Sequence, residues 1–260
     1  MKKYILSLIV SVFSLAINAQ YISVDALSKS IKDANVVVID ARSAADYLKT
    51  HIDGAIGIDV ISLCNNTPVE GTLKPVSELA SIFGKNGVSD NSKIVIYCKT
   101  GVNAGRMYWI LKYLGCEDVS ILEGQMDAWF AARKPITKNA KKLAATTFKA
   151  SVNQSIFVDK AYVKSKLSSA VLIDSRKKED YDAGHIGNAL NIPSESILIG
   201  SKLKPVAEIT SLLAKAPKDK EIILYCKTGI TAGFMYFVLK SVLKYPNVKV
   251  YEGAYLDWKS

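Results

Sequence analysis

Short apolar runs rich in β-branched residues alternate along this chain with longer stretches in which apolar residues recur at helical spacing. Residues 36–40, 55–58, 93–98 and 119–122 read as strands, and 171–174, 221–226 and 248–251 repeat the pattern. These runs are apolar throughout, where a half-exposed strand would alternate, and amphipathic stretches separate them. They therefore predict parallel sheets with helices on both faces, an open α/β sandwich.

The pattern occurs twice. Ile39-Asp40-Ala41-Arg42, Asp46-Tyr47 and His51-Ile52 recur 134 positions later as Ile173-Asp174-Ser175-Arg176, Asp180-Tyr181 and His185-Ile186. The fifteen residues starting at Cys98 match those starting at Cys226 at ten positions, 128 apart. The first copy thus carries six extra residues between the two blocks (134 − 128). Glu123-Gly124 with Trp129, and Glu252-Gly253 with Trp258, close the copies. A duplicated unit fixes the architecture before any residue is interpreted. Residues 20–136 and 152–260 form two domains, and 137–151, lysine- and alanine-rich without periodicity, form a connector.

The amino terminus follows another logic. Met1-Lys2-Lys3 precede an apolar run from Tyr4 to Leu15, and small residues follow, the pattern of a secretory signal peptide over 1–19. The run is too short for a bilayer span, and no later segment is apolar enough to cross one. The mature chain is expected to be exported, to the periplasm or outside the cell.

Composition narrows the function classes. The formal charge of +10 falls to +8 once Lys2 and Lys3 are removed, a balance that attracts anions. The lysines are scattered, however, and no basic stripe or nucleic-acid motif is present, so no nucleic-acid partner is expected. Four cysteines, without any CxxC, and two isolated histidines give no zinc or thioredoxin-like pattern, so neither a metal nor another cofactor is expected. A Cys64–Cys116 disulfide is open at this stage. His51 and His185 read as helix-end hydrogen-bonding groups, and Trp129 and Trp258 as core anchors.

The chemistry concentrates where a strand runs into Cys98-Lys99-Thr100-Gly101-Val102-Asn103, and again into Cys226-Lys227-Thr228-Gly229-Ile230-Thr231, each followed by a helix, the first from near Ala104. Ligands bind beyond the carboxyl ends of parallel strands, where unpaired helix N–H groups favour anions. Gly101 and Gly229 allow a turn tight enough to aim those groups inward. With Lys99 or Lys227 adjacent, a downward shift of each thiol pKa is expected.

These residues make the chain similar to the rhodanese family, over nearly all of the mature sequence and twice. The Asp-x-Arg after a long strand, the His-Ile-x-Gly-Ala turn and the cysteine-started six-residue loop carry the likeness. The resemblance implies two tandem rhodanese-like domains of the thiosulfate or 3-mercaptopyruvate sulfurtransferase kind, with Cys226 accepting a sulfane sulfur. It implies that Lys227, Thr228, Gly229, Ile230 and Thr231 hold a small anionic donor, with Arg176 in reach, and that cyanide or a thiol accepts the sulfur. Two-domain relatives usually lack the first cysteine. Here Cys98 is present, with Lys99, Thr100, Gly101 and Arg42 as its counterparts, which implies a second working site.

Lys227-Thr228 leans towards thiosulfate; the absence of a second arginine near Arg176 disfavours mercaptopyruvate, the runner-up. Asn188 stands where the family turn has glycine, and asparagine tolerates positive φ. A non-catalytic persulfide carrier needs the same loop. A cysteine phosphatase would need arginine six residues after the cysteine, where the chain has Ala104 and Ala232.

Overall fold

A computed structural model describes residues 20–260; the expected signal peptide lies outside the described residues. Each copy builds a five-stranded parallel sheet. In the first, the strands lie in the order Tyr21–Ile22, Val119–Leu122, Lys93–Tyr97, Val36–Asp40, Ile56–Gly57. The second has the equivalent order Phe157–Val158, Val248–Tyr251, Ile222–Tyr225, Val171–Asp174, Leu190–Asn191. Val36–Asp40 is buried at every position, as a strand covered on both faces must be. The edges are two-residue strands, and the expected run 55–58 contracts to Ile56–Gly57. The strands expected at 93–98 and 221–226 end at Tyr97 and Tyr225, because the chain turns at each cysteine.

Serine side chains start two of the helices. Ser23 Oγ accepts from Ala26 N ahead of Val24–Ser30, and Ser43 Oγ accepts from Asp46 N ahead of Ala44–Lys49, filling orphan donors of the first turn. The helix after Cys98, Val102–Tyr113, starts two residues earlier than expected and is buried on nearly all sides from Ala104 to Leu111. Helical spacing from Ala104 places Met107, Leu111 and Leu114 on one apolar face of the helix. Its other face is covered by the second domain's helix Ile230–Tyr236, which continues as a π-helical turn Phe237–Val242. The two helices meet at glycines: a Cβ on Gly105 would stand 2.5 Å from Phe234 Cα, and one on Gly233 would stand 2.9 Å from Arg106 Cα.

A hairpin in each copy reaches the other domain. In the second, Leu198–Ile199 pairs with Lys202–Leu203, and Ser201 Oγ donates to Gly124 O at 3.1 Å. In the first, Cys64 pairs with Leu73, so the tip is four residues longer, 73 − 64 against 203 − 198. Its Gly71 presses on the cysteine loop of the second domain, where an added Cβ would lie 2.5 Å from Thr228 Cβ.

The connector lies on the first domain, with Phe148 buried against Phe83 at 5.3 Å between ring centroids. All four cysteines are free thiols, so the Cys64–Cys116 disulfide does not form. Among the described residues, no helix is long and apolar enough to cross a membrane.

Candidate active site

Both cysteines sit where a central strand ends and a helix begins, and in both loops the glycine three residues on takes a left-handed backbone. Gly101 has φ +95° and Gly229 φ +89°. That conformation turns the glycine N–H onto the sulfur at 3.1 Å in each copy. Cys98 Sγ also accepts from Ala104 N at 3.4 Å. Cys98 is thus held by two loop amides and Cys226 by that of Gly229.

The surroundings differ. Cys226 lines a cleft of about 240 Å³ together with Ser175, Arg176, Lys177, Ser194, Glu195 and Lys227. Its loop is braced from the side by Thr231 Oγ1, 2.8 Å from Ser175 Oγ. At the first cysteine, the residue matching Ser175 is Ala41, and those matching Ser194 and Glu195 are Val60 and Ile61. Gln125, which corresponds to Ala254, folds over the loop and accepts from Cys98 N at 2.9 Å. Cys98 is fully enclosed, and burial pushes its thiol above the ordinary range by more than the amides of Gly101, Ala104, Thr100 and Asn103 pull it down. The expected downward shift is thus overturned at Cys98, because desolvation exceeds the loop's hydrogen bonding.

The comparisons with known proteins fit this duplicated geometry. The model of the rhodanese-like domain matches residues 23–132 and again 159–260. The chain belongs to the rhodanese-like family. Among its relatives is the 3-mercaptopyruvate sulfurtransferase of Escherichia coli, 29% identical over 92% of this chain and 94% of that protein. The thiosulfate sulfurtransferase of Pseudomonas aeruginosa is 28% identical over 86% of this chain and 88% of its own length. The crystal structure of SseA from Escherichia coli, a 3-mercaptopyruvate sulfurtransferase, superposes with a TM-score of 0.85 at 28% identity, covering 91% of this chain and 99% of that one.

Within this tandem rhodanese-like frame, the site residues expected from sequence separate into two groups. Cys226, Lys227, Thr228, Ile230, Thr231 and Arg176 come together around the cleft, with Gly229 forming the turn beneath it. Arg176 is largely engaged elsewhere: Nε and Nη2 bind Asp174 at 3.0 and 2.5 Å, and Nη2 also donates to Gly184 O at 2.7 Å. Its guanidinium lies 3.8 Å from the Tyr255 ring centroid. Arg42 repeats the arrangement with Asp40 and Thr50 O. In both copies, Asp-x-Arg therefore clasps the strand end to the turn that follows, with Arg176 the one of the pair that lines the cleft. Lys99 and Thr100 are exposed beside Cys98.

His51 and His185 bind the carbonyls of Tyr47 and Tyr181 at the preceding helix ends, as expected. Trp129 is buried, and Trp258 is only partly covered. In the second turn, the left-handed residue is Gly187, at φ +52°; Asn188 does not take that conformation, so its tolerance of positive φ is not used. Ser194 and Glu195 belong to no motif and reach the rim through a short 3₁₀ turn, Ser194–Ile197.

Proposed function

We propose that this protein is a thiosulfate sulfurtransferase that works through Cys226. The observation that carries this reading is the Cys226 sulfur, held by the Gly229 amide at 3.1 Å in a cleft that also presents Arg176, Lys177 and Lys227. Thiosulfate is a small dianion. The cations hold its sulfonate end while the Cys226 thiolate attacks the outer sulfur. A Cys226–sulfur bond forms, the sulfur–sulfur bond of thiosulfate breaks, and sulfite leaves with the electron pair. The loop amides support the negative charge on the resulting persulfide. Cyanide or a thiolate then attacks the terminal sulfur, and Cys226 leaves as thiolate.

Two relatives support other donors for the same loop: the mercaptopyruvate enzyme of Escherichia coli, and the sulfur carrier protein TtuD of Thermus thermophilus, 26% identical over 91% of this chain. Intact mass after thiosulfate treatment separates the readings. Wild type and Cys98→Ser should each gain one sulfur that cyanide removes, and Cys226→Ser should gain none. No gain in reduced wild type would sink the thiosulfate reading and favour mercaptopyruvate, or loading by another protein. Export is supported by the pattern of residues 1–19; a mature amino terminus beginning within that segment would remove the support.

A further inference from the structure

Within the fifteen matched residues that follow each cysteine, the first copy has Arg106 where the second has Phe234. The helices cross at Gly105 and Gly233, so the next residue of each passes beneath the other domain's cysteine loop. Phe234 lies under Gly101, where an added Cβ would stand 3.6 Å from its Cε2. Arg106 lies under Gly229, where an added Cβ would stand 2.9 Å from Nη1 and 3.0 Å from Cζ. Gly229 is the residue whose N–H meets the Cys226 sulfur.

Arg106 is completely buried. Its Nη2 donates to both Glu252 oxygens, at 3.1 and 3.0 Å, and to Gly71 O at 3.3 Å. Glu252 accepts in turn from Leu73 N at 2.6 Å. Among the described residues, Nε and Nη1 have no nitrogen or oxygen partner, and the Cys64 sulfur is the side chain that interacts with the guanidinium beside Glu252. The negative end of the ion pair meets the long hairpin of the first domain at Leu73, and Nη1 lies against the Gly229 turn. A buried ion pair is poor as a stabilising device, and donors that meet only a thiol improve it little. The guanidinium also lies over the Trp109 ring, 4.7 Å from its centroid, a contact that packs its flat face but leaves its charge beside the Gly229 turn.

This inference rests on Cys226 as the sulfur-accepting residue. We propose that Arg106, delivered by the first domain, is a positioning residue for the second domain's site: its buried guanidinium braces the Gly229 turn and supports negative charge on Cys226, while Glu252 holds it and moderates its field. Burial works against the charge on Arg106, and the attraction of Glu252, with that of Cys64 and Cys226, outweighs it and keeps the guanidinium cationic. The neighbouring Cys64 thiol feels the same opposed pair: burial pushes it up, Arg106 pulls it down and Glu252 pushes it up. The other charged groups around Cys226 are Arg176, Lys177, Asp180, Glu195 and Lys227, all on the cleft side.

The test is the iodoacetamide alkylation rate of Cys226 at pH 7 in the full-length protein, read by peptide mass, with Cys98 as internal reference. Arg106→Met should slow Cys226 about tenfold, and so should Arg106→Met with Glu252→Gln, which leaves no unpaired buried charge and guards against simple misfolding. Glu252→Gln alone should quicken it about threefold, and Arg106→Lys should remain within about threefold of wild type. Opposite signs for the two single changes are the signature, because a merely structural pair would move both rates the same way. Changes of equal sign, or rates all within about twofold of wild type, would overturn the proposal. Alkylation needs no sulfur donor, so a protein that fails to load sulfur but keeps these opposed shifts sinks the donor reading and leaves Arg106 in place.

Discussion

The two cysteine loops make the same turn and differ in the side chains around it. Cys98 and Cys226 each receive a glycine amide at 3.1 Å from a left-handed turn. Yet the first is roofed by Gln125, backed by Phe234 and has Ala41 and Val60 in place of Ser175 and Ser194, while the second opens to a polar cleft and is backed by Arg106. A loop motif therefore supplies an anion cradle. Whether a thiolate forms in it depends on side chains from elsewhere, and at Cys98 desolvation dominates.

The comparison breaks most sharply at the sulfurs themselves. Cys226→Ser should lower thiosulfate:cyanide turnover by about a thousandfold or more, and Cys98→Ser by less than about twofold. Equal losses would mean that the two surroundings are chemically equivalent. The next effect is on stability: Gly229→Ala forces both a left-handed alanine and retreat of the Arg106 guanidinium, for about 3 kcal/mol. Gly101→Ala meets only ordinary contacts with Gln125 and Phe234 and should lose about 1 kcal/mol, both read by denaturant unfolding.

Third, because its thiol is pushed up, Cys98 is neutral at pH 7 and becomes reactive only as pH rises through the alkaline range. Its alkylation, read by peptide mass, should be slow at pH 7 and quicken by about tenfold as pH rises through the alkaline range. The smallest effect is at the rim, where Glu195→Gln removes an exposed negative charge from the cleft and should raise kcat/KM for thiosulfate about twofold.

Much of this was legible in the sequence. The duplication, the parallel strands at 36–40, 119–122, 171–174 and 248–251, and the two cysteine loops follow from periodicity and spacing alone. What escaped depends on contacts between units that no local pattern encodes. The enclosure of Cys98 comes from Gln125, twenty-seven residues away, and the all-round burial of Val102–Tyr113 comes from the other domain. Asp-x-Arg names both partners of each ion pair, but not that Asp40 and Asp174 would hold Arg42 and Arg176 so fully through Nε and Nη2. Arg106 left one trace, an arginine where the second copy has phenylalanine in a stretch otherwise closely matched.

The glycine crossing has a further consequence. Gly105 against Phe234 and Gly233 against Arg106 are one contact made twice about an approximate twofold axis, the arrangement of an isologous homodimer. In a true homodimer, whatever stands at position 106 stands on both sides of the axis, so an arginine beneath one loop entails an arginine beneath the other. Carrying both halves on one polypeptide removes that symmetry requirement, and here it permits a charge under one sulfur and a hydrocarbon ring under its twin.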